Sequence, residues 1–507
     1  MVSRQELHSL LAGEPVFEDL FCSLQVGPKF PTGAVRETRE VVALARKFNA
    51  EVVRPRALDL DRKMHEEPDY LPWDFVEKAN EWGFYSMWLP RLFGCRGVNM
   101  VSLSPFLEEL STSCLAMANL IGVHYLGVGT LSATWNLRLM NEIFREVARG
   151  EKTGRPCLIS LAITEPSAGT DVEEVELVDR GKVTCVAKRV AGGLTINGSK
   201  VFISNGHLST WHMVIAYTDL KRPSESTVVA AVKTGAKGFS FGRHEKKMGQ
   251  RACPASELFF DDCFVPDAYV CIDQEREVGS SLRPKKKLAM QMIDYVVSTS
   301  RAGVCAFGSG AARGAYQEAL QFAAETKIAG RPLINHEWAQ CVLAEMYKNA
   351  ALGRLAFAEA NYANTLYGLF RLLLWKPFYY CMKYMPRFVI DRVVSPFLNL
   401  RLATRLARKF NFDWQKEDEY QRTSGWASLA KFVGSDAGVR NCQLAMELMG
   451  AAGLRQDHRV EKHLRDTKLL QIYEGTNQLN RLNLFKCLIA RQFPQAEVFE
   501  AGEKEGK

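Results

Sequence analysis

The 507 residues contain no CxxC pair, no two cysteines closer than Cys263 and Cys271, and an odd total of 13. This excludes a disulfide framework and a zinc site and fits reduced thiols in a cytosol-like compartment, so no metal is expected. There is no internal repeat and no low-complexity tract, which excludes solenoid and fibrous classes. Met1–Leu24 mixes Arg4 with Glu6, Glu14, Glu18 and Asp19, and lacks both an uninterrupted apolar stretch and an acid-free arginine-rich face. Neither a secretory nor a transit peptide is expected there. The net charge of +8 is small for the length and does not by itself imply nucleic acid. Proline is scarce after Leu288, which permits long uninterrupted helices.

What is present is the composition of a globular protein, 47% hydrophobic and 24% charged, on a chain too long for one core. Two or three domains are expected. A helical domain is predicted over 36–155, where Val41, Val42, Leu44, Ala45 and Phe48 recur near helical spacing and Leu115–Leu126 is largely apolar. Around Pro156 the period changes to that of strands. Runs at Lys182–Val190, Trp211–Tyr217 and Thr227–Val232, with Asn197-Gly198 and Asn205-Gly206 as turns, predict an antiparallel β domain over 156–275. Helical spacing returns at Leu288–Lys327, Glu337–Asn361, Gly425–Met449 and Leu479–Gln492, which predicts a four-helix bundle split into 276–365 and 413–493. Residues 1–35 read as an extension and 494–507 as a polar tail. The fold class is therefore α+β, mostly helical.

The bundle is interrupted by a segment, 366–412, whose core Leu366–Phe410 holds nine Lys or Arg and a single acid, Asp391. Its net charge equals that of the whole chain, so the rest of the protein is balanced. Trp375, Phe378, Tyr379, Tyr380, Tyr384 and Phe388 lie between the cations, and no run in it reaches the roughly 20 apolar residues of a spanning helix. Two readings stand open: an interfacial helical hairpin, broken by Pro377, Pro386 and Pro396, that touches an anionic membrane, or a segment packed on the bundle or on a neighbouring subunit.

Three motifs carry the chemistry. Ile472-Tyr473-Glu474-Gly475-Thr476-Asn477-Gln478-Leu479-Asn480-Arg481 sets a lone carboxylate between apolar residues and a glycine ahead of a predicted helix. A carboxylate so placed can serve as a base; it can also simply favour a helix N-terminus that Thr476 caps. Upstream stand Leu161–Asp171, which contains Thr164-Glu165-Pro166-Ser167-Ala168-Gly169-Thr170-Asp171, and Ile196–Gly206, which contains Lys200-Val201-Phe202-Ile203-Ser204. In this order and spacing the three motifs resemble those of the acyl-CoA dehydrogenase family, from about Arg36 to Arg491.

The resemblance implies helical, β and helical-bundle domains around FAD, with Glu474 as the base that takes the α-proton and its N–H helping to bind the thioester oxygen. It implies hydride transfer from the β-carbon to the flavin, which no protein side chain could accept. By the same resemblance Thr164, Thr170, Phe202, Ser204, Thr476 and Gln478 contact the cofactor, and Arg301 lies near Glu474 and the CoA arm; a salt bridge within the bundle is the plainer role for Arg301. Some branches of the family carry the base just before this arginine, where this chain has Ser300.

One part departs from the family pattern. The stretches that reach a neighbouring subunit's FAD read Thr326-Lys327-Ile328-Ala329-Gly330, then Glu337, then Glu447-Leu448-Met449-Gly450-Ala451, so an arginine is lost and two amides become carboxylates. Either Lys327 or Arg331 replaces the cation in a homo-oligomer, or a homologous subunit completes the site in a heteromer. The implied reaction is dehydrogenation of an acyl-CoA to a trans-2-enoyl-CoA, with electrons passed to an electron-transfer flavoprotein. An acyl-CoA oxidase or an acyl-carrier-protein dehydrogenase is the alternative of the same fold. A non-catalytic, flavin-containing nucleic-acid-binding protein is the alternative of another class, and Glu474 argues against it, so no nucleic acid is expected. The location expected is cytoplasmic, peripheral at the inner face of a membrane, with the mitochondrial matrix left open.

Overall fold

Ala34, Val41, Ala45 and Phe48 fall on one stripe of the first long helix, α1 (Thr32–Phe48), and all four are buried. The Phe48 ring meets those of Phe75, Trp82 and Phe84 at centroid distances of 6.0, 5.2 and 4.8 Å, which fixes the centre of the N-terminal helical domain. The helices Arg54–Glu66 and Trp73–Glu81 follow, and α2 (Leu103–Ser111), α3 (Leu115–Ala133) and α4 (Leu137–Thr153) complete it. Among the described residues α3 is the one helix long and apolar enough to cross a membrane, but 83% of its apolar window is buried, as befits a core helix. The structure, a computed structural model, describes residues 3–5, 22–27, 29–277, 284–413, 415–490, 493 and 495–499. Most of the 1–35 extension and of the 494–507 tail, and the end of the helix expected over Leu479–Gln492, lie outside these.

The middle domain is a sheet of eight strands, β1 (Ile159–Ala162), β2 (Val186–Val190), β3 (Gly193–Ser204), β4 (Trp211–Tyr217), β5 (Thr227–Lys233), β6 (Phe239–His244), β7 (Ala255–Pro266) and β8 (Val270–Asp273). They run β6-β7-β3-β2-β4-β5-β8, with β1 beside β4. The sheet is mixed where a purely antiparallel one was predicted: β1 and β2 both pair parallel with β4. In sequence β2 and β3 lie between β1 and β4, and β3 between β2 and β4, which gives the chain room for the crossover that parallel strands require. Every residue of β4 is buried, because Met213 and Ile215 face the helices while Val214 and Ala216 face a second core with Val228 and Ala230.

Asn197-Gly198 is not a turn. It lies inside β3 at a register shift between Ile196 and Gly198, where a Cβ on Gly198 would stand 2.8 Å from Cys185 Cα. This is a bulge, and the turn into β3 uses Gly192 instead, at φ +79°. Asn205 does close the strand, at φ 58°.

The C-terminal bundle is built from α5 (Lys285–Glu325), α6 (Glu337–Leu366), α9 (Glu417–Met449) and α10 (Arg459–Leu470), with α5 packed along both α6 and α9. The last helix, α11 (Asn477–Leu484), begins just before its predicted start and passes into a π turn at Phe485–Ile489. Between α6 and α9, residues 366–413 form α7 (Lys376–Tyr384), α8 (Arg401–Arg408) and short helical pieces between them. Pro377 and Pro396 sit in the first turns of their helices and Pro386 caps the next, so the prolines start helices rather than end them.

The segment is not a free hairpin. Phe370, Leu374 and Tyr379 pack with Ala34 of α1, and Ser395 Oγ accepts from Asn141 Nδ2 at 3.0 Å. All 13 cysteines are free, and only Cys341 and Cys381 are exposed.

Candidate active site

After α10 the chain reverses through Glu474 at φ 56° and Gly475 at φ 73°, both left-handed, before α11 begins. A glutamate there costs on the order of 1 kcal/mol and persists only where its surroundings dictate it. Three things dictate it here. A Cβ on Gly475 would meet Leu479 Cδ2 at 2.9 Å, Glu173 Oε2 at 3.2 Å and Arg301 Nη2 at 3.3 Å, so only glycine fits. Asn480 Nδ2 lies within hydrogen-bond reach of the carbonyls of Glu474, Gly475 and Thr476, at 3.2, 2.9 and 3.0 Å. Lys431 Nζ donates to the Gly475 carbonyl at 2.6 Å and to Asn477 Oδ1 at 2.8 Å. Thr476 then caps α11, its hydroxyl accepting from the Leu479 N–H at 3.3 Å.

Arg301 of α5 is 2% exposed and spends its donors on this turn: Nε on the Glu474 carbonyl at 3.1 Å and Nη1 on Ser428 Oγ at 3.1 Å. The structure thus gives Arg301 to the frame of the site, in the bundle, rather than to an open surface. Its neighbour Ser300 donates to Glu474 Oε2 at 2.5 Å, which fixes the direction of the carboxylate.

The electrostatics follow from this crowding. Burial raises the pKa of Glu474 above the usual carboxylate range, and the Ser300 hydroxyl, Arg301 and Lys431 restrain the rise. Glu173 is pushed up to about 7, first by burial and then by the charge of Glu474, with Arg301 opposing. Its Oε2 is buried without a hydrogen bond, 3.8 Å from Arg301 Nη2. Two carboxyls thus share one guanidinium, and as a pair they hold a proton more firmly than either would alone. Lys431 is pushed down to about 7 by burial, then by Arg301.

Glu173, Glu474 and Tyr217 are the ionisable groups lining a cleft beside this turn. Its other walls are mostly apolar: Leu161 and Ile163 of β1, Ile215 of β4, and Met292 and Val296 of α5. An apolar chain suits this space, and a proton acceptor stands at its wall. The Glu474 N–H makes no hydrogen bond among the described residues and is available to a carbonyl oxygen.

The residues assigned to the cofactor lie at surfaces, not in the core. A second bulge in β3, between Lys200 and Ile203, sets Phe202 at φ 57° and turns its ring outward, 59% exposed. Thr164 is adjacent, its carbonyl accepting from the Val201 N–H at 3.0 Å. The hydroxyls of Thr164, Thr170 and Ser204 make no side-chain hydrogen bond among the described residues, and Gln478 is exposed. An outward aromatic ring on a strained backbone beside unspent hydroxyls fits a flat, polar-edged ring system such as a flavin. Thr170 opens the short helix Thr170–Glu173, which brings Glu173 against the Glu474 turn.

At the divergent stretches, Lys327 and Arg331 are exposed on a small hairpin, and Arg331 Nη2 donates to the Asn335 carbonyl at 3.2 Å. Glu447 pairs with Arg440 at 3.6 Å, so its charge has a partner within the chain. Glu337, at the first turn of α6, is exposed.

Sequence reasoning missed Glu173, Lys431 and Asn480. Glu173 follows the Thr164–Asp171 motif by two residues and could have been flagged as a charge beside it. Lys431 had no signal, because its neighbours read as an ordinary helix.

Three family models match the chain: acyl-CoA dehydrogenase N-terminal domain over 36–151, middle domain over 160–263, and C-terminal domain over 290–365 and 397–489. The gap in the last match, 366–396, is shorter than the segment delimited by charge, so α8 lies within family-matched sequence. The short-chain-specific acyl-CoA dehydrogenase of Clostridium acetobutylicum is 26% identical over 88% of this chain and 96% of its own length. The cyclohex-1-ene-1-carbonyl-CoA dehydrogenase of Geobacter metallireducens is 27% identical over 89% and 98%. Among solved structures, butyryl-CoA dehydrogenase from Megasphaera elsdenii superimposes with a TM-score of 0.67 at 21% identity, covering 89% of this chain and 98% of that one.

Proposed function

Since the chain belongs to the acyl-CoA dehydrogenase family, we propose that it removes hydrogen from the α- and β-carbons of an acyl-CoA thioester and yields the trans-2-enoyl-CoA. The observation that carries this reading is Glu474: a carboxylate with a raised proton affinity, held on a left-handed turn at the wall of an apolar cleft.

In this reading the acyl chain lies in the cleft and displaces water from around Glu474. Desolvation then raises the proton affinity of the carboxylate further, and Glu474 takes the α-proton. Ser300 keeps the carboxylate aimed, and the open Glu474 N–H polarises the thioester carbonyl, which makes the α-proton more acidic. Arg301, Lys431 and Asn480 hold the backbone of the turn still, so the base and the N–H keep their relative positions. Thr164, Thr170, Phe202, Ser204, Thr476 and Gln478 would hold FAD, which when bound supplies the acceptor for the β-hydride.

The further parts of the reading are an electron-transfer flavoprotein as the electron acceptor, a cytoplasmic setting at the inner face of a membrane, and an oligomer in which a neighbouring subunit completes the FAD site. Stoichiometric FAD in a purified homo-oligomer would dismiss the heteromer and leave Lys327 and Arg331 as the replacing cations.

The test is an anaerobic titration of the flavin-loaded protein with a panel of acyl-CoAs of different chain length and branching. Bleaching of the flavin by at least one of them is expected, and the panel reports the preferred acyl group. A flavin that stays oxidised with every acyl-CoA, but bleaches with the matching acyl-carrier-protein thioester, would overturn the CoA assignment in favour of a carrier-protein substrate.

A further inference from the structure

Residues 366–410 carry two populations of cations. One faces inward: Arg371 pairs with Glu419 at 3.6 Å, Lys383 with Glu37 at 2.7 Å, and Arg408 donates to the carbonyls of Thr134 and Cys271 at 3.0 and 2.7 Å. The other faces water. Arg387, Arg392, Arg401, Arg405 and Lys409 are exposed and their side chains enter no ion pair or hydrogen bond among the described residues. The segment's single acid, Asp391, is taken by Arg145 at 2.9 Å.

The outward cations alternate with large apolar side chains that the fold leaves uncovered. Tyr384, Phe388 and Val393 are 70, 65 and 63% exposed, and Phe397, Leu402 and Leu406 are exposed as well. Three contacts pin the other side of the segment along α4 and so fix which side faces out: Asn141 with Ser395, Arg145 with Asp391, and the Leu137 N–H with Thr404 Oγ1 at 3.2 Å. In α8, Ala403 and Arg408 turn inward while Arg401 and Arg405 run beside Leu402 and Leu406 on the outside.

We propose that this face docks the enzyme on the surface of an anionic lipid bilayer. A bilayer meets both halves of the pattern: its headgroups take the guanidinium and ammonium groups, and the acyl boundary takes Phe388, Val393, Leu402 and Leu406. A second copy of the chain meets the pattern poorly, because a symmetric contact sets these five cations against their own equivalents. Nucleic acid would satisfy the cations but leave the aliphatic side chains against phosphate. The proposal does not depend on the reaction assigned to Glu474, so each can fail alone.

Deleting the segment is not a usable test, because Phe370 and Tyr379 belong to a buried cluster and Arg408 holds two carbonyls. Flotation of the flavin-loaded full chain is, with vesicles of phosphatidylcholine alone or of phosphatidylcholine mixed with phosphatidylglycerol. The parent should float only with the anionic vesicles and be released by high salt. Substituting Arg387, Arg392, Arg401 and Arg405 with Gln should weaken partition roughly fivefold per residue, with unchanged thermal unfolding and flavin content. Phe388→Ser with Val393→Ser should weaken binding even at low salt. A parent that never floats, or floats equally with neutral vesicles and with the charge variant, overturns the proposal. So does a parent that self-associates through this face and is made monodisperse by the Phe388 and Val393 substitutions.

Discussion

The Glu474 turn and the 366–410 segment are both rich in charge, but they dispose of it in opposite ways. At the turn Glu173, Glu474, Arg301 and Lys431 are crowded out of water and act on one another: burial moves proton affinities, and each donor is spent on a neighbouring carbonyl or hydroxyl. Along the segment five cations are exposed and enter no ion pair among the described residues. Low dielectric shifts the proton affinities of the first set; exposure leaves the second its full charge. Arginine shows the contrast best. Arg301 is a brace for a backbone turn, Arg408 a clamp between domains, and Arg405 a charge on the surface.

Five substitutions probe this contrast. Glu474→Gln should have the largest effect, slowing flavin reduction by about 10⁴-fold or more while acyl-CoA still binds, since the amide is nearly isosteric but cannot accept the α-proton. Stopped-flow reduction checks it, and a rate near that of the parent would remove Glu474 as the base. Next comes Arg408→Gln, which strips two buried carbonyls of a charged donor and should cost about 2–3 kcal/mol in chemical denaturation.

Smaller shifts are expected in the pH dependence of flavin reduction. In the proposed reaction Glu474 must be ionised to act, so the rate should fall as pH drops through its folded pKa, which burial has raised. Ser300→Ala removes a donor that favours the carboxylate, so the midpoint should move up. Glu173→Gln removes a like charge from the shared guanidinium, so it should move down. Shifts in the same direction would mean that Ser300 and Glu173 do not act on Glu474 as described. Smallest of all, Arg405→Gln should leave unfolding within about 0.5 kcal/mol of the parent, as for an exposed side chain without a partner. A large loss there would erase the distinction between the two regions.

Much of this was legible without coordinates. Periodicity located the helical domains and the central strands, because amphipathic stripes and alternation are local consequences of burial on one side. The motif around Glu474 was legible because, in order with the two upstream motifs, it resembles those of the acyl-CoA dehydrogenase family; that Gly475 sits on a left-handed turn came from the structure. The parallel pairing of β1 and β2 with β4 was not, since nothing local records which strand a segment meets after a long crossover. Asn197-Gly198 misled because a bulge and a hairpin turn ask for the same residues.

The sequence by itself determined the order of the domains, the candidate base, and the concentration of positive charge between α6 and α9. Each follows from residue type and spacing, which set local propensity and composition. Only the tertiary structure decided that Glu173 stands beside Glu474 and that Lys431 and Asn480 hold the turn. It alone decided that the charged segment is clamped to α4 with its arginines divided between inside and outside. Those facts depend on which residues, hundreds apart in the chain, come within a few ångströms of one another, and that is where proton affinity, backbone strain and exposed charge are set.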